Sequence, residues 1–202
     1  MINASHDPSG LMPPERDACA IISYINKAGH PTHGNVQRTI EALIKMGHRA
    51  GEISGEGDGC GILTDLPRRL WRDILEGAGH NGDLVDEKGF AIGHFLLHKE
   101  ALADDPELQE KILSLFRDAG AQILVERPGP VRNELLSAMA RRTEPRFWQV
   151  ALLLPQPNKA PAALYRLHAD IEARFPVHVA SLSTQVASYK VHGAPEILSR
   201  YY

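Results

Sequence analysis

Apolar residues first recur at helical spacing between Asn35 and Met46, where Val36, Ile40, Leu43 and Ile44 mark one face of an amphipathic helix that Gly47 ends. Before it, Cys19 to Asn26 is a β-branched and aromatic run closed by Lys27, Gly29 and Pro31, the pattern of a strand and a turn. After it, a glycine-dense loop from Gly51 to Gly61 leads into a short apolar strand, Gly61-Ile62-Leu63. Pro67 then opens a helix carried by Leu70, Trp71, Ile74 and Leu75. Further strands are expected at Phe90–Leu97, Gln122–Val125, Phe147–Leu154 and Val177–Tyr189, and helices at Pro106–Ala119, Val131–Arg141, Pro161–Phe175 and Pro195–Arg200. This alternation would suit a parallel sheet. The last strand, however, carries polar Ser181, Ser183 and Gln185 at every second position, which suits an antiparallel sheet with one apolar face. The fold class is α+β, with its topology open.

Met1 to Ala18 stands apart, with three prolines and no period of 2 or 3.6, and reads as a leader preceding a domain over residues 19–202. The 202 residues are 43% hydrophobic, enough for one domain with a core. Twenty-two Lys and Arg against 25 Asp and Glu give a net charge of -3, and so no electrostatic reason to expect nucleic acid or an anionic membrane. No apolar run reaches the ~20 residues of a membrane helix. Two cysteines are too few for a disulfide framework and suit a reducing, cytoplasmic compartment.

Position makes Cys19 the most informative residue. If the leader were excised after Ala18, Cys19 would carry a thiol and a free α-amine of pKa about 7.7–8.0, so that one residue supplies both nucleophile and base. The competing reading is a small buried hydrophobe at the start of a strand. In the following loop the glycines allow close backbone approach to a ligand, and Arg49 is a permanent cation able to pair with a carboxylate. Its competing reading is a surface turn with a solvated arginine. His80-Asn81-Gly82-Asp83 reads as a tight turn between a helix and a strand. The pairs His30/His33 and His94/His98 lack the Cys or carboxylate company of a metal site, and none is assigned.

Asp17-Ala18-Cys19, Gly29-His30-Pro31-Thr32-His33, Glu41-Ala42-Leu43, His48-Arg49-Ala50 and Gly57-Asp58-Gly59-Cys60-Gly61-Ile62-Leu63 together resemble the start of the class II glutamine amidotransferase domain of glutamate synthase large subunits. Ser181-Leu182-Ser183-Thr184 with Tyr189-Lys190 resembles a second signature of that family. The resemblance implies an N-terminal nucleophile hydrolase sandwich, helix/sheet/sheet/helix and mainly antiparallel, incomplete in this chain, with Met1–Ala18 as a propeptide. It implies Cys19 as nucleophile toward glutamine, with Arg49, Asp58 and Gly59 at the substrate, and ammonia released for a synthase domain or subunit. FMN and an iron–sulfur cluster are expected in that synthase part and no cofactor in this segment. The family's oxyanion asparagine and glycine are expected beyond Tyr202, so that the chain alone is expected to be inactive. Ala20, Ala50 and Gln185 stand where the family has glycine, glycine and arginine, and the first two feed an alternative: a non-catalytic module with a regulatory or amino-acid-binding role.

Overall fold

The computed structural model describes residues 20–47, 52–53, 56–57 and 59–202, and of 52–53 and 56–57 only the backbone. Helix α1 (His33–Lys45) starts where the Thr32 hydroxyl accepts the Asn35 N–H at 3.3 Å, satisfying a donor the helix itself cannot. A two-residue hairpin, β1 (Glu52–Ile53) and β2 (Glu56–Gly57), precedes β3 (Cys60–Asp65). Helix α2 (Arg68–Gly77) follows Pro67 and buries Trp71 and Leu75. Then come β4 (Phe90–Leu97), α3 (Lys99–Asp104), α4 (Leu108–Asp118), β5 (Gln122–Pro128), α5 (Ala138–Thr143), β6 (Arg146–Leu153), α6 (Ala160–Arg174), β7 (Val177–Ser183), β8 (Val186–Val191) and α7 (Pro195–Tyr201).

The described strand pairs are all antiparallel, and the α+β class holds. Four strands in the order β5-β6-β4-β7 form the main sheet, and β3 pairs with β8 in a second, two-stranded layer. The main sheet is covered on both faces, which is why β4 and β6 are nearly continuous apolar runs. Ala91, Phe95, Leu97, Trp148, Val150 and Leu152 pack against Ile112 and Phe116 of α4 and Leu164 and Ile171 of α6. The opposite face sets Phe90, Ile92 and Ala151 against Trp71 and Leu75 of α2 and Ala187 of β8. Helices α1 and α7 close the end of the second layer, where Leu43, Cys60, Val191, Leu198 and Tyr201 meet. No helix among the described residues is long and apolar enough to cross a membrane.

Four expectations need correction. Of the strand expected at Cys19–Asn26, residues 20–26 are irregular: no described strand pairs with them, and Ile21 and Ile25 are 93% and 83% exposed. Burial against a neighbouring strand is what converts β-propensity into a strand, and here it is missing. The chain does turn as expected, with Asn26 Oδ1 accepting from Ala28 N and Asn26 O from Gly29 N. The single strand expected over Val177–Tyr189 is two strands in different sheets. The Ser183 hydroxyl accepts the N–H groups of Gln185 and Val186 at 3.0 and 3.3 Å, a local competition that breaks the ladder at Thr184-Gln185. Pro106–Ala119 begins as helix only at Leu108, behind the separate α3, because Asp105 turns the chain by accepting the Glu107 N–H. Val131–Arg141 contains one turn of 3₁₀ helix, Asn133–Leu135, and then α5, which restarts at Ser137, whose hydroxyl caps Ala140 N.

Gly89 fixes the entry to β4. Its carbonyl accepts the Leu154 N–H at 3.0 Å, and a Cβ there would lie 2.4 Å from the Leu154 carbonyl oxygen. That neighbour is backbone and cannot rotate away. Gly89→Ala is therefore expected to cost about 2 kcal/mol, read as a lower urea midpoint at unchanged slope. An unaltered midpoint would mean the two strands separate freely at this end.

Candidate active site and the adjoining cleft

Of the four residues expected at the site, Cys19, Arg49 and Asp58 lie outside the described residues, as does the segment Met1–Ala18 expected to be a leader. Gly59 is described: it is exposed, immediately before β3, with φ +150. A Cβ on it would sit 3.3 Å from the Val191 carbonyl oxygen. Glycine is thus what lets the loop enter β3 close against β8.

Cys60, the first residue of β3, pairs in register with Val191 and is partly buried against the α7 cluster. Burial, reinforced by the carboxylate of Glu196, pushes its thiol up to about 11. At neutral pH roughly one such thiol in ten thousand is a thiolate, the species that attacks carbonyl carbon. Cys60 is a poor nucleophile where it stands. Asn81 lies in a turn as expected, capping Gly82–Asp86 by accepting Asp83 N at 2.9 Å.

Beside β3 lies a cleft of about 710 Å³ between α1, α2 and the Arg127–Gln149 end of the β5–β6 ladder. Its apolar walls include Ile40 and Ile62, and its polar walls Glu41, Arg127, Gln149 and Tyr189. The polar residues of the sheet are ordered by register. Arg127 on β5 pairs with Gln149 on β6, Gln149 with His94 on β4, and His94 with Ser181 on β7. Register partners point to the same face. One polar row therefore crosses all four strands on one face of the sheet.

The row is hydrogen-bonded at its buried end. His94, fully buried, has Nδ1 2.9 Å from the Ser188 carbonyl oxygen, and the Ser188 N–H donates to Ser181 Oγ at 3.0 Å. A carbonyl can only accept, so His94 Nδ1 carries the proton. His94 Nε2 then accepts from Gln149 Nε2 at 3.0 Å. Desolvation holds the imidazole neutral, lowering its pKa to about 4 against a smaller opposing effect of the Ser188 carbonyl. Phe147 and Tyr189 meet its ring edge-to-face at 5.0 and 4.9 Å. His94 is thus a hydrogen-bonded core residue. Among the described residues no group of three or more His, Cys, Asp or Glu could hold a metal ion.

Gln149 and the row as a whole are absent from the sequence reading. Their only signal is a lone polar residue inside each of two apolar strands, Gly-His-Phe in β4 and Trp-Gln-Val in β6. A single polar interruption does not say which partner satisfies it.

The chain is 26% identical over 195 residues to ferredoxin-dependent glutamate synthase 2 of Synechocystis sp., and 28% identical over 203 residues to the chloroplastic ferredoxin-dependent glutamate synthase 2 of Arabidopsis thaliana. Each match covers 93% of this chain and 12% of the relative. The glutamate synthase (NADPH) large chain of Azospirillum brasilense is 28% identical over 138 residues, 67% of this chain and 9% of that one. The chain thus spans about an eighth of the length of the first two. The profile of the class-II glutamine amidotransferases matches residues 19–202, opening on Cys19. With that match over all but the first 18 residues, the chain belongs to the class-II glutamine amidotransferase family.

Proposed function

We propose that this chain is the nucleophile-bearing part of a glutaminase that serves a glutamate synthase-like enzyme in the cytoplasm. The observation that carries the reading is that the family match begins on Cys19. Removal of Met1–Ala18 would free its α-amine. That amine takes the thiol proton, and the thiolate attacks the side-chain carboxamide carbon of glutamine. The tetrahedral adduct collapses as the protonated amine gives its proton to the leaving nitrogen, so that ammonia departs and a γ-glutamyl thioester remains. Water, deprotonated by the same amine, then adds to the thioester, releasing glutamate and regenerating the thiol. Ammonia passes to a synthase domain or subunit, where FMN and an iron–sulfur cluster would support reductive amination of 2-oxoglutarate.

Arg49, with Asp58 and Gly59 shaping the loop, is assigned to holding glutamine. Arg49→Lys keeps the charge and loses the planar fork, so the glutamine KM should rise about tenfold. An unchanged KM and kcat would remove Arg49 from the site. The reading as a whole is tested by intact mass and by a diazo-ketone analogue of glutamine, which alkylates a glutamine-activating thiol. Expected are loss of residues 1–18 and a single adduct on Cys19. A retained leader with no adduct would favour the second reading, a non-catalytic amino-acid-binding module. That reading draws on Ala20 and Ala50, each standing where the family has glycine.

A further inference from the structure

The polar row ends in the cleft with its hydrogen bonding incomplete. Ser188 O sets the tautomer of His94, and His94 Nε2 in turn claims the amide nitrogen of Gln149. This orients the Gln149 amide. Its Oε1 takes no hydrogen bond from the described residues, and the residue lines the cleft, so that this oxygen is an acceptor open to a donor held there.

Beside it, Arg127 projects from the register partner position, its Cβ about 5 Å from that of Gln149. Its guanidinium forms no ion pair among the described residues and makes only a 3.4 Å contact from Nε to the neighbouring Pro128 carbonyl. Glu41, on the α1 wall of the same cleft, likewise forms no ion pair among them. The two opposite charges line one cleft without reaching each other. The same cleft is lined also by Gln149 and by the apolar surfaces of Ile40, Ile62 and Leu70.

We infer that the cleft binds an α-amino acid with an apolar side chain, its carboxylate on Arg127 and its ammonium between Glu41 and Gln149 Oε1. A zwitterion is the small ligand that supplies both charges and the missing donor at once. The apolar walls select the side chain: a polar one would be desolvated there without a partner. The assignment uses no contact to Cys19, and it adds to the proposed glutaminase a second, independently testable role for this cleft.

The test uses the 202-residue chain with L-leucine, L-leucinamide (no carboxylate) and N-acetyl-L-leucine (no ammonium), followed by calorimetry and by NMR of the Gln149 side-chain amide. Leucine should bind saturably and shift that amide, and each analogue should bind at least tenfold more weakly. The variants are matched to the analogues. Arg127→Gln should weaken leucine about tenfold and leave leucinamide unchanged, whereas exposed Glu41→Gln should weaken leucine and leave N-acetyl-leucine unchanged. Cys19→Ala should bind leucine as the parent does, so failure here is distinguishable from failure of the glutaminase reading. Absence of leucine binding at millimolar concentration, or variants that weaken all three probes alike, would overturn the assignment.

Discussion

Cys19→Ala is expected to lower glutamine hydrolysis by the protein expressed from its complete reading frame by about 10⁴-fold or more, the scale on which a lost nucleophile reduces an enzyme to background. Ammonia-dependent synthesis by an associated synthase part should survive, because it starts downstream of the thioester. Cys60→Ala is the informative control. Its thiol is held protonated by burial and by Glu196, and it is partly covered by α7, so the variant should retain near-parental turnover. Ammonia release is the measurement, with glutamate production as its stoichiometric partner. Turnover that persists in Cys19→Ala and vanishes in Cys60→Ala would exchange the roles of the two cysteines and defeat the proposal.

Acidification should destabilise the fold well above the usual carboxylate range. His94 is neutral in the fold with a pKa near 4, against about 6.5 in the unfolded chain. Above pH 6.5 neither state holds the proton, and stability carries no penalty from this residue. Between 6.5 and 4 the unfolded chain takes up a proton that the fold excludes, so stability falls with pH, by about 3 kcal/mol once pH 4 is reached. Protonation would also put a hydrogen on Nε2, turning the Gln149 contact into two donors facing each other. Urea unfolding at half-unit intervals measures the slope. In His94→Gln most of that slope should disappear, whatever the variant costs at neutral pH. A parental curve flat from pH 7 to 5 would mean that His94 titrates as an exposed histidine does.

Much of this fold is legible in the sequence where one face of an element is apolar. Phe90–Leu97 is both expected and observed as a strand with the same limits, because eight residues buried on both faces leave no alternative period. The helix from Asn35 to Met46 is found two residues earlier at its start, where Thr32 rather than the apolar stripe decides the boundary. What stays hidden depends on contacts distant in sequence. The Val177–Tyr189 run has strand propensity throughout, and only the Ser183 hydroxyl, bonding two N–H groups ahead of it, divides it between two layers. Residues 20–26 carry the same propensity and, with no neighbour to bury Ile21 and Ile25, form no strand. For the site, a glycine-rich loop and a well-placed cysteine are readable as chemistry. The row Arg127-Gln149-His94-Ser181 is not, since it exists only in the register of four strands.

The pairing of β3 with β8 joins Cys60–Asp65 to Val186–Val191, with residues 66–185 between them. During synthesis the N-terminal third of the chain therefore emerges long before its sheet partner exists. The main sheet, assembled from Phe90 onward, can form its β4–β6 and β5–β6 ladders earlier. Closing so long a loop makes the outer layer the slow and late step of folding. Any maturation at the Ala18–Cys19 junction that requires the finished β3–β8 layer must then wait until β8, Val186–Val191, has left the ribosome. If residues 1–18 are removed in this way, nascent chains that stop short of β8 should retain them, and a mutation that loosens β8 should delay their removal without touching the junction itself.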